Sequence, residues 1–176
     1  MKRKTVNKTL CGALTAIMLI SLLMMPQAVN LCLGKTATAT AQYNDTTRSA
    51  AMAIDGNLET WWSTDGYKPA QSITVDLKDK TEFNKFMIYY EVGQKMKSFK
   101  IEGSNDNQNF TLLHEDAKAD GFTSDHSVVL GEKVSYRYVK LTVKEVIGAY
   151  QNVTIREFQI YNVNETEKNV NLALNK

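Results

Sequence analysis

The dominant period of this chain is two. Ile73, Val75 and Leu77 alternate with Thr74 and Asp76, and Phe86, Ile88 and Tyr90 with Met87 and Tyr89. Phe99 and Ile101 flank Lys100, and Val139, Leu141 and Val143 alternate with Lys140 and Thr142. Successive side chains of an extended backbone point to opposite faces, so these runs predict strands with one face in a core. Turn clusters such as Gly103-Ser104-Asn105-Asp106-Asn107 separate them. The best run of helical period, Arg48 to Ile54, reaches only about two turns. Seven or eight short strands without a long helix predict an antiparallel β-sandwich or barrel.

The last strand breaks its own alternation. Val153 and Ile155 share one parity, Phe158 and Ile160 the other. Both pairs face inward only if one residue is inserted at Arg156 or Glu157, which is a β-bulge.

The first 28 residues read as an address. Lys2, Arg3, Lys4 and Lys8 precede an apolar stretch from Leu10 to Met25, Pro26 ends it, and Ala28 suits a cleavage site. A secretory signal peptide over 1–28 and an extracellular or cell-surface protein are expected. Removing four leader cations from 21 Lys and Arg leaves 17 against 19 Asp and Glu. A mature chain near −2 with interspersed signs has no basic stripe, which argues against nucleic acid as partner. Of the two cysteines only Cys32 remains, in an Asn-Leu-Cys-Leu phrase that predicts a small buried apolar residue. That phrase, Asn30-Leu31-Cys32-Leu33-Gly34-Lys35, is echoed by Asn171-Leu172-Ala173-Leu174-Asn175-Lys176. The echo predicts a module over 29–163, a linker over 164–170 and the start of a second module at 171–176.

The densest chemistry is Ala53-Ile54-Asp55-Gly56-Asn57-Leu58-Glu59-Thr60-Trp61-Trp62. An Asp-Gly-Asn turn lets carboxylate, amide and carbonyl oxygens converge, and Thr60 adds a hydroxyl one turn later. Hard cations such as calcium take six to eight such oxygens, at roughly 2.3–2.6 Å. Glu157, at the predicted bulge, would supply a second carboxylate.

Ordered motifs extend this reading. They are Asn-Leu-x-Leu-Gly-Lys from Asn30, Ala-Ile-Asp-Gly-Asn-x-x-Thr-x-Trp from Ala53, and Ser-Ile-Thr-Val-Asp-Leu from Ser72. Phe-Lys-Ile-Glu-Gly-Ser-Asn-Asp from Phe99, Tyr-Val-Lys-Leu from Tyr138 and Ile-Arg-Glu-Phe-Gln-Ile-Tyr from Ile155 follow. Together they resemble the coagulation factor 5/8 type C, or discoidin, domain over nearly all of 30–163. The missing terminal disulfide points to the bacterial branch, which includes the family 32 carbohydrate-binding modules. The resemblance implies an all-β, antiparallel β-sandwich jelly roll of about eight strands, like galactose-binding domains, with one structural calcium. It implies carboxylate ligands from Asp55 and Glu157 and both oxygens of Thr60. Backbone oxygens of Met52, Asn57 and Arg156 would complete the set. Trp62 falls on the core tryptophan position; Trp61 is the extra one, read as half-buried beside it, with an exposed platform for a sugar as the alternative.

Glycan recognition in this family lives in loops at one end of the sandwich. An aromatic face for the sugar ring and polar groups for its hydroxyls occur in four segments. Their candidate contacts are Asn44; Asp65, Tyr67 and Lys68; Glu91 and Gln94; and Tyr150 and Gln151. His114 on a strand and His126 near a turn read as structural or solvated. No Gly-x-Ser-x-Gly, no His-Glu-x-x-His and only two histidines argue against catalysis in this chain. The expected function is non-catalytic glycan binding, of galactose- or hexosamine-like ends, beside neighbouring modules. An adhesion or lipid-binding discoidin domain and a spacer are the alternatives. The four loops lack an apolar spike for a membrane.

Overall fold

The structure, a computed structural model, describes residues 28–44, 46–66, 70–91, 94–122, 125–148 and 152–164. The signal peptide but for Ala28, the linker but for Asn164 and the second module start lie outside the described residues. Seven strands form among those described: β1 (Thr36–Ala39), β2 (Trp62–Ser63), β3 (Gln71–Tyr90), β4 (Gln94–Ser104), β5 (Thr111–Ala117), β6 (Asp125–Gly148) and β7 (Thr154–Tyr161). The segment of helical period contributes a short 3-10 helix, Ala50–Ala53.

All pairings are antiparallel, in the order β2-β7-β3-β6-β4-β5, with β1 also on β3. The Ile73–Leu77 and Phe86–Tyr90 runs are the two halves of β3 rather than separate strands. The first half pairs with β1 and the end of β6, the second with β7 and the start of β6. Between them the register jumps from Asp76↔Tyr138 to Thr81↔Tyr136, so β3 carries extra residues where both strands bend. Lys78 takes φ +76° there and donates its N–H to the Asp76 carboxylate.

The bend folds one hydrogen-bonded sheet over its own apolar face, giving the β-sandwich jelly roll. Phe99 of β4 consequently lies 5.3 Å from His126 at the start of β6, ring to ring. Trp62, Phe83, Phe86, Phe99 and Phe158 fill the space between the layers, and Phe86 stacks on Phe158 at 6.0 Å. Trp62 is fully buried, with its indole N–H on the Ala41 carbonyl at 2.9 Å. A buried donor paired in this way avoids the cost of an orphan.

The chain's entrance is latched to its last strand. The Asn30 side chain accepts from the N–H groups of Cys32 and Ile160, and Leu31 N–H donates to Ile160 O. Cys32 is completely buried, and burial next to the Glu157 carboxylate pushes its thiol far above the ordinary range. It is the small apolar filler expected.

Candidate functional site

The predicted bulge forms in β7. Tyr89 pairs with Glu157 and Tyr90 with Ile155, leaving Arg156 as the inserted residue. Ile155, Phe158 and Ile160 therefore all reach the core, although their sequence parity conflicts. The insertion also turns Glu157 inward, with no exposed surface, toward the 55–60 turn. Its Oε1 accepts from Gly56 N–H at 2.8 Å and its Oε2 from Gln159 Nε2 at 3.2 Å. Burial, and then the nearby Asp55 carboxylate, raise its pKa above the usual value.

The turn itself is crowded with acceptors. Thr60 Oγ1 lies 2.8 Å from Asn57 O, 2.8 and 3.0 Å from the two Asp55 oxygens, and 3.4 Å from Met52 O. A hydroxyl carries one proton, so it satisfies only one of these four oxygens at a time. The Asp55 carboxylate spends Oδ1 on Asn57 N–H, and Asn57 Oδ1 accepts from Glu59 N–H. Asn57 O also accepts from Thr60 N–H, so Asp55 Oδ2 and Met52 O are left to share the one hydroxyl proton, and oxygens of this kind are what a hard cation takes. Met52, Asp55, Asn57, Thr60 and Glu157 are brought together from segments about a hundred positions apart. Among the described residues no three His, Cys, Asp or Glu side chains cluster as a metal site, so this set depends on carbonyls and a hydroxyl.

The described ends of the four loop segments meet around Ser63. Tyr43 N–H donates to Ser63 O, and Ser63 Oγ meets Thr154 Oγ1 at 3.2 Å. Asn152 donates to Ser63 Oγ at 2.7 Å and accepts from Gln94 Nε2 at 2.6 Å. Thr64 Oγ1 reaches both Gly66 O and Val153 N–H. The feet of the loops holding Asn44, Asp65, Glu91 and Gln94 are therefore joined at one end of the sandwich. Tyr67, Lys68, Tyr150 and Gln151 lie outside the described residues. Asp65 is exposed, whereas Asn44 Oδ1 is used locally by the N–H groups of Thr46 and Thr47. Gln94 is a strut between loops, and with Tyr90, Asn152 and Thr154 it lines a cavity of about 10 Å³.

Two roles were invisible in the sequence. Glu91 is gripped by Arg156, whose Nε and Nη2 lie 3.0 and 2.8 Å from Glu91 Oε2. Arg48 lies 3.7 Å from the centre of the half-buried Trp61 ring and Arg156 5.5 Å from it, so guanidinium groups cover the indole. Trp61 is thereby occupied rather than an open stacking platform. Only the parity break at 155–158 hinted that the Arg156 side chain is re-aimed. His114 and His126 pack on the Phe99–Phe122 cluster, and burial lowers the pKa of His126.

A family model described as the F5/8 type C domain matches residues 36–158. Among solved structures, chitosan-binding module 1, derived from a chitosanase/glucanase of Paenibacillus sp. IK-5, is 26% identical with a TM-score of 0.68. That alignment covers 76% of this chain and 99% of the module. CpGH89CBM32-5 from Clostridium perfringens, solved with GalNAc-β-1,3-galactose, is 26% identical with a TM-score of 0.65, covering 77% of this chain and 99% of its own. The family 32 module of C. perfringens NanJ, solved with galactose, shares the fold at 23% identity and a TM-score of 0.64, over 77% and 98%. A comparison with curated proteins returned no match.

Proposed function

The chain belongs to the F5/8 type C domain family, and from that premise we propose that it is a secreted, non-catalytic carbohydrate-binding module. It tethers a larger extracellular protein to glycans with galactose- or hexosamine-like ends. The observation that carries this reading is the convergence of the predicted loops on Ser63, with Glu91 held by Arg156 at their rim. Fixed carboxylate and amide groups there suit the hydroxyls or amino group of a sugar, and the sequence offers Tyr67 and Tyr150 as candidate ring faces. The two modules at 26% identity, one chitosan-binding and one solved with a GalNAc disaccharide, point to the same ligand class.

The same reading places a calcium ion at the oxygen-rich turn. The donor set fits: Asp55, Glu157 and Thr60 with carbonyls of Met52 and Asn57, and Arg156, next to Glu157 at the bulge, would offer a further carbonyl. The ion would supply positive charge to oxygens that one hydroxyl proton cannot satisfy, and so tie the turn to β7.

A shallow site orders few groups and excludes little water, so one module should bind with Kd on the order of 0.1–1 mM. Titrating the mature chain with galactose, N-acetylgalactosamine and chitotriose tests this. Saturable binding that weakens in the Tyr67→Ala/Tyr150→Ala double variant is the expected result. Failure to bind any glycan, with binding to anionic lipid vesicles instead, would overturn it in favour of an adhesion domain.

A further inference from the structure

One residue links three parts of the fold: two that its side chain touches and the bulge that its own backbone forms. Arg156 Nη1 donates to the carbonyl of Leu58, which lies inside the oxygen-rich turn between Asn57 and Thr60. Its Nε and Nη2 hold Glu91 Oε2, at the rim of the loop cluster. Its own backbone is the inserted residue of the bulge, next to Glu157. Both contacts go to Oε2 of Glu91, and among the described residues no hydrogen bond reaches its Oε1.

A guanidinium is a rigid fork whose donors lie in one plane. If Leu58 O moves, Arg156 loses one of its two anchors and its side chain regains rotamers. Glu91, half-buried and held by that fork, then loses its fixed orientation. Asn57 O and Thr60 already meet, at 2.8 Å, and a cation held by both would fix the intervening Leu58 peptide and so preset Arg156. A sugar bound at Glu91 would select the same pose from the other side. Two ligands that each need one ordered side chain share the ordering cost, and the first to bind reduces what the second must supply.

Resting on the calcium and glycan readings above, we infer that Arg156 couples the two sites: calcium at the oxygen-rich turn and glycan at Glu91 strengthen each other's binding. Coupling in binding is reciprocal, so each ligand must change the other's affinity by the same factor.

Calorimetric titration of the mature chain with N-acetylgalactosamine and chitotriose, in calcium and in chelator, reads the first factor. Titration of calcium with and without saturating sugar reads the second. Both are expected at about five- to tenfold and equal. In Arg156→Gln the ratio should fall to about one, whatever the separate affinities become. In Arg156→Lys it should also stay near one, because a single ammonium does not bridge Leu58 O and Glu91. A readout without sugar is the Arg156 Nε–H resonance, which calcium alone should protect from solvent exchange. Glycan binding that ignores calcium overturns the coupling and leaves the module reading intact. Binding of no glycan at all overturns both. A ratio retained in Arg156→Gln removes Arg156 from the pathway. If that variant fails to fold, an Nε–H equally protected with and without calcium does the same.

Discussion

Gly56 shows how one residue decides whether the oxygen-rich turn forms. Its φ is +83°, a left-handed conformation that disfavours side chains, and a Cβ there would sit 2.9 Å from Leu33 Cδ2. Its N–H is also the donor that greets Glu157. Gly56→Ala should therefore destabilise by about 1–3 kcal/mol, measured by urea unfolding, and weaken any response to calcium. An unchanged midpoint would mean that the turn relaxes freely around the methyl. Residue identity was legible here, since Asp-Gly-Asn announces a tight turn. That Leu33 closes over it was not, because the contact comes from the distant entrance of the chain.

At the scale of elements, the bend shared by β3 and β6 makes a sandwich out of what would otherwise be one flat sheet. Arg137 of β6 clamps Asp76 of β3 at this bend, Nε to Oδ1 at 2.9 Å and Nη2 to Oδ2 at 3.0 Å. The guanidinium, aided by Lys78 N–H, lowers the Asp76 carboxyl to about 2 from an ordinary 3.8. A depressed carboxylate stabilises the fold above its unfolded pKa and loses that contribution as pH falls through the folded one. The stability gap between wild type and Asp76→Asn should therefore be full above pH 3.8 and shrink toward pH 2. Urea midpoints at stepped pH check this, and a gap constant across that window would deny the pair its role. The apolar runs of β3, β4, β6 and β7 and the β7 bulge were legible from parity alone, whereas β1, β2 and β5 were not. The continuity of β3 through the bend was not either, because the polar residues at 78–82 carry no alternation to join the two runs.

At the scale of the whole molecule, the oxygen-rich turn joins the first third of the chain to the last. Gly56 and Glu157 are 101 positions apart. On our reading calcium binds this assembled set and not the unfolded chain, so it stabilises by mass action. The melting temperature should rise with calcium, and Asp55→Ala or Glu157→Ala should abolish most of that rise. A melting curve unmoved by calcium in chelator-treated protein would leave these residues as ordinary turn and bulge groups.

Taken alone, the sequence determined the all-β class, the inward residues of the longest alternating runs, the bulge, the core tryptophan and the family. The class, the inward residues and the bulge follow from periods of two and local turn chemistry, which short windows of sequence carry; the tryptophan and the family follow from the resemblance of ordered motifs. Only the tertiary structure decided that Gln94 braces Asn152, that Arg48 covers Trp61, and that Arg156 holds both Leu58 and Glu91. Those contacts join residues 13 to 98 positions apart. A polar side chain reads the same in sequence whether it faces water, a sugar or another loop. Its partner is chosen by the fold of the backbone, which brings the loop feet together at one end of the sandwich.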